Sequence, residues 1–96
     1  MGYPNYNQIT ATMIPKIKDI AFLPDFHLKV FFDDGTGVLY DVNEDIESVD
    51  EFKGLKSIYG LWNQGKVDSS RTIVYWNDRI DLPSDMIYEY GKPIEK

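Results

Sequence analysis

The chain has 96 residues, 43% of them hydrophobic and 15% aromatic, with no cysteine and a formal net charge of −6. That length suits one domain rather than two, and the composition is that of a globular chain with a core. Without cysteine, disulfides, thiolate nucleophiles and Cys-ligated zinc or iron–sulfur centres are excluded.

Lys and Arg residues are scattered singly or in loose pairs such as Lys16/Lys18 and Lys53/Lys56. No basic stripe interleaves with aromatics, so direct binding of nucleic acid is not expected. An acidic domain suits a basic protein partner. No apolar run approaches the roughly 20 residues that span a bilayer. The start, MGYPNYNQITATMIPKIKDI, has neither the basic region nor the apolar run of a signal peptide. With cysteine absent as well, these features point to a soluble, cytoplasmic protein.

In chain order, residues 1–15 are polar, Tyr- and Asn-rich, and bracketed by Pro4 and Pro15. They read as a flexible N-terminal extension. Lys16 to Phe22 mixes apolar and charged residues and predicts a partly exposed first strand. Leu23-Pro24-Asp25-Phe26 predicts a turn, with Pro24 fixing φ and Asp25 bonding nearby backbone. The clearest element is the hairpin HLKVFFDDGTGVLYDV, residues 27–42. A two-residue Asp34-Gly35 turn would set Leu28, Val30 and Phe32 beside Gly37, Leu39 and Asp41. A three-residue loop, Asp33-Asp34-Gly35, sets them beside Val38, Tyr40 and Val42 instead. Only the second register makes one apolar face, and a one-residue slip would turn a whole strand over. The outer face then carries His27, Lys29, Phe31, Leu39 and Asp41.

The next segment, NEDIESVDEFKGLKSIYGLWNQGK, holds Ser48 and Glu51 at capping-box spacing. Phe52, Leu55, Tyr59 and Trp62 follow at near-helical spacing, with Ile58 on the flank. Gly54 and Gly60 predict one or two short helices rather than a long one. A strand at Lys66 to Asp68 and the β-rich run Thr72 to Trp76 predict a second hairpin around Ser69-Ser70. Ile80 to Leu82 re-enters the fold, and Pro83 can start a last helix over Ser84 to Tyr88. The expected fold is α+β: a small antiparallel sheet of two hairpins plus a first strand, packed with two or three short helices. Residues 16–90 make this single domain, and 91–96 a C-terminal tail.

Candidate chemistry is sparse. His27, the sole histidine, faces Asp41 across the predicted ladder, but no Ser or Cys nucleophile sits at a recognisable elbow. A cross-strand pair on a solvent face explains it. Asp41, Asn43, Asp45 and Glu47 imitate the ligand positions of a calcium loop. Ile46 stands where that loop needs glycine and Phe52 where it needs a bidentate glutamate. A charged connector into a helix is expected there. Among Asp33, Asp34, Asp78, Asp81 and Asp85, the first two suit a turn, and Asp81 and Asp85 suit a helix start beside Pro83. No phosphate-cradling or dinucleotide fingerprint occurs. Neither metal nor cofactor is expected.

Three segments, VFFDDGTGVLYDV, FKGL and TIVYWNDRIDLPSDMIYEY, together resemble the small bacterial family catalogued as domain of unknown function 2442. The resemblance falls on Phe32, Asp34, Gly35, Asp41 and Val42, then on Trp76, Asp81, Leu82 and Tyr88. It departs near Asp78-Arg79, where the family usually has a glycine, and around Gly60 to Gly65, which is one residue longer. The resemblance implies a compact α+β fold with no established activity, and an antitoxin-like or regulatory role in binding a partner. The expectation is therefore a protein–protein interaction module rather than an enzyme. Its ligand would be a protein or a second copy of the chain, and His27, Lys29, Phe31 and Leu39 its candidate surface. The alternative is a small metal-independent enzyme or ligand binder using Tyr75, Trp76, Asp81 and Tyr88. The competing expectation is that Trp76, Leu82, Ile87 and Tyr88 are closure, packing the last strand and helix back over the apolar face of the first hairpin.

Overall fold

The structure, a computed structural model, describes residues 14–94. The predicted extension thus lies mostly outside the described residues. Strands β1 (Ile17–Phe22), β2 (His27–Phe32) and β3 (Gly37–Asp41) form an antiparallel meander. Two loops of one design connect them. In the second loop, Phe32 N–H donates to Thr36 O at 2.8 Å and Gly35 N–H to Phe32 O at 2.9 Å. Asp33-Asp34-Gly35 is therefore a three-residue loop, with Gly35 in the left-handed region at φ 90°. Val30 pairs with Val38 and Leu28 with Tyr40, and all four are buried, as the face argument expects. The first loop, Pro24-Asp25-Phe26, repeats the pattern, but Phe26 holds the left-handed position at φ 64°. A bulky side chain at positive φ is strained. The Phe26 ring is held in place edge-on to Trp62 at 5.1 Å, under the Lys56 ammonium at 5.2 Å.

After β3 the chain turns into helix α1 (Asn43–Ser48). Asp41 Oδ1 starts it by accepting the Asn43 N–H at 2.9 Å. The stretch expected as a charged connector is thus itself helical, one element earlier than the spacing predicted. The Ser48/Glu51 capping box does not form: Ser48 Oγ donates back to Glu44 O at 2.7 Å, closing α1 rather than opening a helix. Lys53 Nζ donates to Ile46 O at 3.0 Å and satisfies one of the last carbonyls. A 3-10 turn (Asp50–Lys53) and the single-turn helix α2 (Gly54–Ser57) follow. Gly60, at φ 80°, then reverses the chain. Phe52, Leu55 and Trp62 are buried, but Tyr59 is thrown fully into solvent because the helix ends before it.

Another 3-10 turn (Trp62–Gln64) leads into β4 (Lys66–Val67), β5 (Ile73–Tyr75) and β6 (Asp81–Pro83). These make a separate three-stranded antiparallel sheet, so the expected strands divide between two sheets. The β5–β6 loop, where the resembled family has a glycine, is closed by a side chain. Asn77 Oδ1 accepts the N–H groups of Arg79 at 2.9 Å and Ile80 at 3.0 Å. Helix α3 (Ser84–Tyr90) starts after Pro83, and β7 (Lys92–Pro93) then pairs with Val38 and Leu39. Lys92 and Pro93, expected in a C-terminal tail, are the fourth strand of the first sheet. The α+β class stands, with every strand pair antiparallel.

The core lies between the sheets. Trp76, Leu82 and Ile87 are buried, and Tyr88 covers the Phe32 ring edge-on at 5.0 Å while keeping 37% exposure. Trp76 stacks on Trp62 at 5.5 Å, with Phe22 edge-on to both indoles. Truncating a buried large aromatic costs about 3–5 kcal/mol, against a total stability of about 5–15 kcal/mol for a domain. Trp76→Ala should therefore unfold at a far lower urea midpoint than the wild-type chain. Tyr59→Ala should stay within about 0.5 kcal/mol of wild type. Equal midpoints for the two variants would show that this aromatic cluster does not close the core.

Candidate functional site

The residues of the predicted interaction surface share the outer face of β2 and β3. Lys29 pairs with Leu39 and Phe31 with Gly37, and Lys29 Nζ stands 5.9 Å from the Phe31 ring centre. Phe31 and Leu39 are outside the main core, yet only half-exposed. The Phe31 ring lies across Gly37, where an added Cβ would come within 2.5 Å of it. Glycine opposite an aromatic lets the ring lie flat on the strand. This surface is thus less open than the outward register alone implies.

His27 faces Asp41 in the ladder, as predicted, but its nearer partner is Asp25. Nδ1 lies 3.0 Å from Asp25 Oδ1, whereas Nε2 lies 3.8 Å from Asp41 Oδ1. Burial pushes the Asp41 carboxyl up, but the two hydrogen bonds from Asn43, with His27 and Lys56 nearby, hold it below its ordinary value. Beside this pair a cleft of about 430 Å³ opens between β3, α1 and the end of α3. Its wall includes Tyr40, whose hydroxyl donates to Asp45 Oδ2 at 2.7 Å. Burial raises the pKa of Asp45, the Tyr40 hydrogen bond works against this, and the Asp41 charge adds to it. The Tyr40 hydroxyl is pushed up by the same burial and by Asp45. A single spacing signal, Tyr40 followed five residues later by Asp45, was available in the sequence. It has no meaning until α1 is known to fold back on β3.

The four residues of the alternative site divide among three places. Tyr75 and Asp81 face each other across β5 and β6, while Trp76 points inward between Phe22 and Trp62. Tyr88 is at the hairpin tip, where its hydroxyl donates to Asp34 Oδ2 at 2.7 Å. That bond, with the Thr36 N–H on the other oxygen, holds the Asp34 carboxyl low. Asp33, expected to serve the turn, instead binds Arg71 through both oxygens at 2.8 and 2.9 Å. The Arg71 guanidinium lowers its pKa. These acids therefore have structural partners.

A surface that the sequence reading passed over lies at the opposite end of the molecule from the hairpin tip. Phe22, Pro24, Phe26, Lys56 and Trp62 line a groove of about 380 Å³, with Ile58 and Tyr59 on its rim. Ile58 is 53% exposed and Tyr59 fully so. The indole N–H of Trp62 is already used, donating to Leu23 O at 2.7 Å. The groove therefore offers apolar and aromatic surface. Helical spacing assigned Tyr59 to the core and concealed this. Gly60 was the signal that the helix would stop first.

No helix among the described residues is long and apolar enough to cross a membrane. Comparison with known proteins finds no matching family model, curated protein or solved structure.

The Tyr40–Asp45 pair makes stability depend on pH in a definite direction. Asp45 has a folded pKa above its ordinary 3.8. Its contribution to stability is therefore largest at acid pH and falls as pH rises through the raised value. Asp45→Asn should remove that fall, keep an acceptor for Tyr40, and match or exceed wild-type stability at pH 7. Asp45→Ala leaves the hydroxyl without its acceptor and should cost about 1–3 kcal/mol. Urea titrations at several pH values test both. An Asn variant less stable than the Ala variant at pH 7 would reverse the assignment.

Proposed function

We propose that the chain is a regulatory protein-interaction module that holds a protein partner through the groove bounded by Phe26 and Trp62. The observation that carries this reading is the outward position of Ile58 and Tyr59. The fold gains nothing from their exposure, and contiguous exposed apolar groups beside a groove mark contact surfaces. Tyrosine suits such a place because it brings large area at low entropic cost. Strain at Phe26 supports the same reading, since strained backbone is retained where a side chain must be held in one place. The net charge of −6 favours a basic partner. An antitoxin-like role, and membership of the family resembled, belong to this proposal through the motif residues alone.

The test is capture of a stoichiometric partner by the immobilised full chain from cells that express it, followed by affinity measurement with the purified partner. Ile58→Ser with Tyr59→Ser should weaken binding by at least about tenfold while leaving the urea midpoint near that of the wild type. Leu39→Glu, on the outer sheet face, should bind normally. Loss of binding with Leu39→Glu alone would move the interface to the His27, Lys29, Phe31 and Leu39 face. Unchanged binding by the double variant would remove the groove from the interaction.

A further inference from the structure

Among the described residues the two sheets have four edge strands, and three of them are blunted. β4 and β7 are two residues long, β6 is three, and both β6 and β7 end in proline. Proline and brevity keep edges from pairing with other chains. β1 differs: it has six residues, no proline and, among the described residues, one neighbouring strand, β2. Its register shows which backbone groups are spent. Leu23 N–H donates to His27 O at 2.9 Å. By antiparallel alternation Ala21 and Asp19 also turn towards β2, whereas Ile20 and Phe22 turn their N–H and C=O groups away. A bulge between Ile17 and Asp19 and the charge of Lys18 blunt the start of the strand, so the open part is Ile20 to Phe22.

Beside this edge lies a recess of about 330 Å³, lined by Ile17, Lys18, Ile20, Val67, Asp68 and Arg71. Ile20 and Val67 are only partly buried there, although both pack against the core. The other end of the strand runs into the aromatic groove, because Phe22 lines it. Backbone donors and acceptors in alternation, with the apolar side chains of Ile20 and Val67 in a recess otherwise rimmed by charged groups, are what an extended peptide with alternating side chains requires. We propose that the partner delivers an extended strand to the Ile20–Phe22 edge, its apolar side chains alternating onto Ile20 and Val67 and its continuation entering the groove at Phe22. This rests on the protein-interaction reading above and specifies the form of the partner segment.

The probe is a heptapeptide of alternating threonine and valine with an added lysine at each end, matched to the acidic chain, added to the ¹⁵N-labelled full-length protein. At saturation, hydrogen exchange at the Ile20 and Phe22 amides should slow at least about tenfold, while that at Ala21 stays as it was. Ile20→Pro removes an outward donor without touching the ladder to β2, and should weaken peptide binding at least about tenfold. If that variant fails to fold, the peptide N-methylated along one edge gives the same readout on the wild-type protein, and should not bind. Unchanged exchange at Ile20 and Phe22, or full binding by the N-methylated peptide, overturns the proposal. Protection already present without peptide overturns it too. Protection that rises with protein concentration would assign the edge to a second copy, and protection lost on deleting residues 1–13 would assign it to the chain's own N-terminus. A captured partner that needs Ile58 and Tyr59 but leaves both amides exposed would overturn the strand and leave the interaction module standing.

Discussion

The indoles of Trp62 and Trp76 stack at 5.5 Å with their planes 18° apart, and each N–H is spent on a backbone carbonyl that belongs to a different part of the chain. Trp62 donates to Leu23 O at 2.7 Å, reaching the first loop, and Trp76 donates to Trp62 O at 3.0 Å. The stack thereby ties three pieces that no strand pairing joins: the β1–β2 loop, the 3-10 turn at Trp62 and the second sheet. Large aromatics bury about 150–250 Å² each. In a domain too small for a deep core they supply area that aliphatic side chains could not. Buried indole N–H groups would cost more than they contribute if left unpaired. Both are paired, which fixes the orientation of the rings as well as their depth. Phe22 completes the arrangement, and Gly65 is glycine because that ring occupies the space a Cβ would need.

The opposite end of the core is held by polar contacts. Arg71, itself at φ 63°, binds Asp33 through both carboxylate oxygens and donates to Ile17 O at 3.2 Å. Its carbonyl accepts the Ile17 N–H at 2.8 Å. Ser84, fully buried, donates its hydroxyl to Pro15 O at 2.6 Å and so anchors the chain just before β1. Tyr88 holds Asp34. The hairpin tip is thus fastened to the second sheet and to α3 by charged and hydroxyl groups. Its carboxylates have lowered pKa values. That part of the stability is present above the ordinary carboxylate range and is lost as pH falls through the depressed values.

Much of this was legible because β-strand faces obey a strict alternation. The Asp33–Gly35 loop could be chosen over a two-residue turn since only one choice put Leu28, Val30 and Phe32 with Val38, Tyr40 and Val42. Trp76, Leu82 and Ile87 were legible as closure for the same reason: a small sheet face has few other covers. What escaped depended on contacts remote in sequence. Local spacing gave the β4–β5 hairpin but cannot say that it joins β6 in a sheet of its own, or that Lys92 will meet Leu39. Tyr59 was misplaced because its spacing from Leu55 is helical, while Gly60 and the extended conformation at Ile58 end the helix earlier. Asp33 and Asp34 read as turn residues. Arg71 and Tyr88, 38 and 54 residues away, use their carboxylates.

Except for the exposed Asp81, the residues that carry the family resemblance occupy positions that folding alone explains. Gly35 supplies a left-handed turn, Asp41 starts α1, and Phe32, Val42, Trp76 and Leu82 are buried. A motif built from such positions describes how a chain folds and carries little about what it binds. Binding information should therefore be sought where folding makes no demand. Ile58 and Tyr59 meet that condition, and so do the outward amides of Ile20 and Phe22. These places are far apart in sequence, yet Phe22 belongs to both, as the last residue of the edge strand and as a wall of the aromatic groove. The indole stack that holds the sheets together also holds Phe22 in that position. Weakening the stack would therefore disturb the contact surface together with the core, so only rim substitutions can separate binding from stability.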